Sequence, residues 1–377
     1  MEKIVGDLLR PDGPSALVLR EELEPAGGRD AVFFPPTFAG GGYLINEINQ
    51  PGLKNCVIVD TVESQANRIE QIFKDTELVP KVKLSIQDKI LIDLLDLGHR
   101  VADALARFSD GRKEIDDALK CLAKGDAGPL AKISPTSLIF GFWDSRGTGV
   151  KWPRILRSEI LAYNVKELRR RGQYVAPLTR EFKPEEEWRI YTEQVNELKE
   201  FLEEDLKGDE KKFKDFLSEM GLGSVPFPKE GTELYGGCVL LGDGKIYRDA
   251  VLHLVALRAL ACRGSDGKVN PEKSGLLKAY ILALSLVALT YPQDYSLREG
   301  CLLVRKASKL QAVYKDGKSE PLNLDYGEIK KFAEETARKF KKEFGVGDQT
   351  WEVNFEGAIK EWKERQKKKG KKKEEEE

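Results

Sequence analysis

Histidine is nearly missing from this chain: 377 residues contain two, His99 and His253. Two isolated imidazoles without clustered carboxylates leave no basis for a hydrolytic metal site. Both are read as structural residues within helices. Cysteine is sparse as well. Cys56, Cys121, Cys238, Cys262 and Cys301 are scattered, odd in number and never in a C-x-x-C pair. That argues against a zinc site or a disulfide frame and for a reducing compartment. No G-x-S-x-G is present for an activated serine, and no G-x-x-x-x-G-K-[ST] for a nucleotide-binding loop. The longest apolar run, Leu276 to Tyr291, is 16 residues and carries Lys278. A bilayer span needs about 20, so the run is read as a buried core helix and no membrane partner is expected. No signal-peptide pattern opens the chain, and a cytoplasmic location is the expectation.

Charge is abundant. Charged residues make up 33% of the chain, against roughly 25% in an ordinary globular protein, yet the net charge is −1. The distribution is polarised. From Asp144 to Arg171, eight basic residues stand against three acidic ones, a net of +5. From Glu181 to Glu210, twelve acidic residues stand against four basic ones, a net of −8. A basic face beside an acidic one suits a polyanion held on one side, and it equally suits an internal salt-bridge network.

The stretch Thr61–Phe73 reads as a helix with two unlike faces. Asp60 is the expected N-cap, with Glu63 completing a capping box. Val62, Ala66, Ile69 and Phe73 recur at helical spacing and face a core. Ser64, Asn67, Arg68 and Gln71 fall on the other side. Uncharged hydrogen-bonding side chains with one Arg near a helix N-terminus suit phosphate or sugar oxygens. A polar surface helix has the same pattern.

A second candidate is Asp144-Ser-Arg-Gly-Thr-Gly149, after a predicted strand and before Lys151, Arg154 and Arg157. A glycine-bearing turn offers backbone N–H groups, and the Arg residues add bidentate charge. A tight turn needing Gly for positive φ is the other reading. Asp144 could serve as a lone acid, with no partner base in view. Phe38, Tyr43, Phe142 and Trp152 lie near these loops and could stack on bases or pack locally.

Composition and periodicity predict strands over 16–23, 55–60, 78–86 and 137–143, and a loop over 33–43. They predict a long helix over 90–108 and another beginning at Pro153. An acidic helical insertion is expected over 184–220, and a hairpin over 236–246 with Gly242-Asp-Gly244 as its turn. Helices follow near 250–262 and 276–290, two paired strands over 301–304 and 310–314, and a last helix over 326–344. The charged tail 364–377 has a disordered composition. Strands and helices mix without βα alternation, so the expected class is α+β.

Several motifs resemble those of the backbone subunit of type I-G (formerly I-U) CRISPR effector complexes. They are Leu17-Val-Leu-Arg-Glu-Glu-Leu-Glu24, Phe34-Pro-Pro-Thr-Phe-Ala-Gly40, Ser64-Gln-Ala-Asn-Arg68, Phe140-Gly-Phe-Trp-Asp-Ser-Arg-Gly-Thr148, Pro153-Arg-Ile-Leu-Arg-Ser158, Leu254-Val-Ala-Leu-Arg258 and Leu297-Arg-Glu-Gly-Cys-Leu-Leu-Val304. The likeness runs in order over about residues 10 to 310. It implies a repeat-associated mysterious protein (RAMP) with a ferredoxin-like RNA-recognition (RRM) core and finger and thumb insertions. The expected organisation is one such domain over 1–363, holding the acidic insertion, then the tail.

The implied role is non-catalytic. Copies of the chain would stack along a CRISPR RNA in an antiviral surveillance ribonucleoprotein and present it for pairing with target DNA. The implied partners are CRISPR RNA, target DNA, further copies of the chain, a large subunit, a guide-end-capping or processing subunit and a helicase-nuclease. Ser64, Gln65 and Arg68 match a helix similar to segments that grip the guide backbone. Asn67, Ser145, Arg146, Lys151, Arg154 and Arg157 extend that set by chemistry and placement. No catalytic residue, metal or cofactor is assigned. The rival expectation is an endoribonuclease of the same superfamily acting on precursor or target RNA. The polarised faces would also suit head-to-tail stacking.

Overall fold

In the computed structural model of this chain, residues 1–39, 41–87, 89–170, 200, 209–220, 234–357, 359, 360 and 363 are described. The class is α+β. Its strands are β1 (Ala16–Pro25), β2 (Ile45–Gln50), β3 (Leu53–Asp60), β4 (Val82–Ile86), β5 (Ile90–Asp93), β6 (Phe142–Trp143), β7 (Lys151–Trp152), β8 (Leu156–Arg170), β9 (Leu234–His253), β10 (Tyr295–Arg298), β11 (Cys301–Val313), β12 (Ser319–Pro321) and β13 (Gln349–Glu352).

Period-two alternation builds the main sheet. In β1, Leu17, Leu19, Glu21 and Leu23 point inward while Val18, Arg20 and Glu22 point outward, as a sheet covered on one face requires. The sheet runs β10-β11-β1-β9-β8-β3-β2, with β12 on β11. Taken in chain order, β1, β8, β9 and β11 lie fourth-first-third-second, each antiparallel to its neighbours. Helices fill the connections from β1 to β8 and from β9 to β11. A smaller sheet, β13-β4-β5, and the two-stranded ribbon β6-β7 complete the strands described.

The core helix Pro271–Thr290 is long and apolar enough to cross a membrane by length and composition, but it is mostly buried inside the fold. Asn270 caps it, accepting from Lys273 N, and Pro271 occupies its first turn. The buried Tyr280 hydroxyl donates to Leu78 O at 2.7 Å. The helix Tyr326–Phe344 packs alongside, its Phe340 ring stacked between Tyr280 and Phe344 with both centroid distances 4.2 Å.

A buried polar row divides the apolar side of the sheet. Arg248, wholly buried, donates to Glu21 Oε2 at 2.7 Å and to Ser158 Oγ at 3.1 Å. Ser158 Oγ donates to Gln65 Oε1 at 3.0 Å, and Gln65 Nε2 donates to Asp60 Oδ2 at 2.7 Å. Arg305 and Tyr295 also donate to Glu21. Each inward side chain thus meets a partner, though Arg248 Nη2 is buried without a hydrogen bond of its own.

Several expected elements differ. The region read as one helix over 90–108 is β5 followed by the short helical segments Leu94–Asp96, Arg100–Ala102 and Ala104–Arg107, because the Asp93 and Asp103 carboxylates each accept the N–H two residues on and start the chain afresh. The strand expected over 137–143 is a helix, Pro135–Phe140, ended by Gly141 at φ +73° and followed by β6. Pro153 opens no helix; β8 follows, with alternate inward residues Leu156, Ser158, Ile160 and Ala162. Gly242-Asp-Gly244 is a bulge within β9, not a hairpin turn: Lys245 pairs with Tyr163 and Leu240 with Val165 across it. The two late strands are one, β11. The expected strand over 78–86 is confined to β4. Within 209–220 the chain is helical over Glu210–Glu219. The rest of the acidic insertion, apart from Glu200, and the tail 364–377 lie outside the described residues.

Candidate functional site

The ribbon β6-β7 and its loop are held by one carboxylate. Asp144 is 2% exposed, and its Oδ2 accepts from Thr148 N at 2.6 Å and Thr148 Oγ1 at 2.8 Å. Arg107 Nε lies 3.5 Å from Asp144 Oδ1, and Arg107 Nη2 donates to Arg146 O at 2.7 Å. A Cβ on Gly147 would stand 2.4 Å from Asp144 Oδ2, so a side chain there would push the carboxylate out of its contacts. Asp144 is therefore a clasp rather than a free acid.

This clasped loop forms one wall of a cleft of about 710 Å³. The helix Val62–Glu70 supplies Glu63 and Asn67, the segment 98–107 supplies His99, Arg100 and Arg107, and the ribbon supplies Trp143, Ser145, Arg146 and Lys151. Trp152, Pro153 and Arg154 close it. Five Arg and Lys residues line the cleft against one acid, Glu63. Two of the five are matched from behind: Arg100 Nε is 2.7 Å from Glu70 Oε2, and Arg107 faces Asp144. Arg154 is 3.2 Å from the exposed Glu63. Arg146 and Lys151 lie exposed at the surface.

The back wall is strained and buried. Arg100 adopts φ +55°, a left-handed conformation that costs a non-glycine residue about 1 kcal/mol or more. It is held there by Glu70, by Gly141 O at 3.2 Å and by Asn67 Oδ1 at 3.1 Å. Asn67 thus spends its carbonyl on Arg100, which leaves its amide N–H groups as donors at the cleft. Burial pushes the Glu70 carboxyl up to about 7, with the Arg100 charge opposing only part of that rise.

Of the residues singled out from sequence, Asn67, Ser145, Arg146, Lys151 and Arg154 come together here. Four do not. Gln65 is fully buried in the polar row, where it bridges Ser158 and Asp60. Arg68 is turned away, 3.2 Å from Asp60 Oδ2 and donating to Leu297 O at 2.6 Å. Ser64 Oγ accepts from Arg68 Nε at 3.3 Å. Arg157 sits on the outer sheet face, 2.8 Å from Glu159. The N-cap is Thr61, whose Oγ1 accepts from Ser64 N, rather than Asp60. The helix face toward the cleft is the Glu63–Asn67 line, one turn apart.

Sequence reasoning missed Arg100, Arg107, His99 and Trp143 as site residues. His99 is exposed in a turn rather than helical, and His253 ends β9, its Nδ1 accepting from Ala256 N. Of the aromatics singled out, Phe142 and Trp152 line the cleft, the latter fixed by its Nε1–H on Leu138 O at 3.1 Å. Tyr43 donates no base platform there; its hydroxyl accepts from Gly237 N elsewhere.

Residues 17–167, less than half of the chain, match the family model of CRISPR-associated protein GSU0053. The match spans every residue that lines the cleft. No curated protein matches the chain.

Proposed function

We propose that this chain is a guide-RNA-binding backbone subunit of a type I CRISPR effector complex, of subtype I-G, and that the cleft holds the guide's sugar–phosphate chain without breaking it. The observation that carries this reading is the gathering of Arg146, Lys151, Arg154, Ser145 and Asn67 around one cleft inside the CRISPR-associated span. A backbone subunit needs phosphate and 2′-OH contacts on rigid elements, since base pairing supplies the sequence information. The clasped loop and the buried Arg100 wall supply that rigidity. The fourth-first-third-second order of β11, β1, β9 and β8 supports an RRM-like, ferredoxin-type core. Copies of the chain, the other complex subunits and target DNA are the partners this reading assigns.

The test is RNA binding by the purified chain as a function of salt. Affinity should fall as salt rises, since phosphate contacts release counterions. Lys151→Ala and Arg154→Ala should each lower the slope by about one. Absence of copurified RNA together with indifference to a cognate guide in dilute buffer would refute the proposal. A second reading, cleavage of precursor or target RNA, has one observation in its favour: His99 is exposed on the cleft. Specific cleavage, with or without Mg²⁺, that disappears in His99→Ala would replace the binding role by an endoribonuclease.

A further inference from the structure

Trp143 is an unusual surface residue. It is 62% exposed, although an indole is among the largest apolar groups a fold can bury. Its place is fixed. In the β6-β7 ribbon it pairs directly across from Lys151, whose Nζ lies 5.5 Å from the ring centroid. The neighbouring Phe142 and Trp152 pair on the inward side, and Trp152 is tied to Leu138 O. The clasp through Asp144 and Arg107 fixes the loop immediately beyond. Trp143 is therefore a rigid aromatic platform on the cleft, bordered by Lys151, Arg146 and Arg154.

Building on the RNA-binding reading, we propose that Trp143 stacks on an unpaired nucleobase, and that the cleft therefore takes single-stranded rather than duplex nucleic acid. The chemistry separates the two. A cationic cleft alone attracts any polyanion, and phosphates of a duplex satisfy it as well as those of a single strand. A flat apolar ring with a cation above it gains only from a π-face, and in a duplex those faces are occupied by neighbouring bases. With Lys151 at the ring, a base on Trp143 brings its own phosphate to an ammonium already in place. A carboxylate-rich peptide carries the charge but has no base to place on the ring.

The experiment uses the full chain and four probes: a single-stranded RNA, the same RNA annealed to its complement, an abasic strand of equal length, and polyglutamate. The wild-type chain should prefer the base-bearing single strand over the other three. Trp143→Ala should weaken single-strand binding roughly 5- to 100-fold and erase the preference over the abasic strand, with the salt slope unchanged. Trp143→Phe, which keeps a ring, should stay close to wild type and serves as the folded control. Equal wild-type affinity for base-bearing and abasic strands, or an unaltered preference in Trp143→Ala, overturns the stacking role. If Arg154→Ala still weakens binding in that case, the guide-binding reading survives; if the wild type binds no RNA at all, that reading falls with it.

Discussion

At the residue scale, chemistry and burial part company. Gln65 and Arg68 have the side chains a phosphate site needs, but Gln65 is sealed in the polar row, and Arg68, though exposed, is tied to Asp60 and Leu297 O away from the cleft. Arg68→Ala should therefore cost about 1 kcal/mol of stability, through loss of its contacts with Asp60 and Leu297 O. It should leave the RNA salt slope intact, which chemical denaturation and binding titrations together would check. Glu70 makes a pH prediction. Its carboxyl is raised to about 7 from the ordinary 4.5, mainly by burial. Below about pH 4.5 both folded and unfolded forms hold the proton. As pH rises to about 7 the unfolded form releases it first, so stability falls, by on the order of 3 kcal/mol once the window is crossed. The difference in Tm between wild type and Glu70→Gln, followed from pH 4 to 8, should shrink the wild type's standing as pH rises. A constant difference would show that Glu70 does not titrate there.

At the element scale, short apolar runs were ambiguous and long alternating ones were not. The first strand, the strand before Thr61 and the helix Tyr326–Phe344 were all legible, because their periods persist over several repeats. The run 137–143 was not, since a few apolar residues fit a buried helix turn as well as a strand, and the decision fell to Pro135 at the helix start and Gly141 at its end. The expected helix over 90–108 failed because Asp93 and Asp103 are held extended as N-caps, each starting a new short helical segment that no longer helix can run through. The ribbon β6-β7 is too short to persist by itself, and the Asp144 clasp does the holding. Asp144→Ala should strand Arg107 as a buried, uncompensated cation, lowering stability by about 3 kcal/mol. RNA affinity should drop with it as the loop loosens. Asp144→Asn, which retains an acceptor for Thr148, should fall between the two in both thermal melting and titration.

At the scale of the whole molecule, the helices Pro271–Thr290 and Tyr326–Phe344 close the fold over the sheet. Phe340 is fully buried between two stacked rings, so Phe340→Ala should cost about 3–5 kcal/mol by denaturant unfolding, with the cleft residues untouched. The near-neutral net charge is no obstacle to a polyanion, because the cleft itself is lined by five Arg and Lys residues and one acid. For the acidic insertion, removal of 184–220 should shorten assemblies on RNA more than it weakens RNA binding, as read by sedimentation against titration. Unchanged assembly length would remove that segment from any stacking role.

The order of residue types along the chain was enough to determine the α+β class, the alternating strands, the core helix and the concentration of basic residues after Asp144, because each depends on local periodicity or composition. Which of those polar residues face solvent was decided only in three dimensions. Gln65 and Asn67 are two positions apart on one helix, yet one is sealed against Ser158 and Asp60 while the other borders the cleft. A helix turns about 100° per residue, so neighbours in sequence reach different surroundings, and only packing of the helix on the sheet selects which side is closed. Arg100 and Arg107 join the site for the same reason: distant segments meet there, and no local pattern records the meeting.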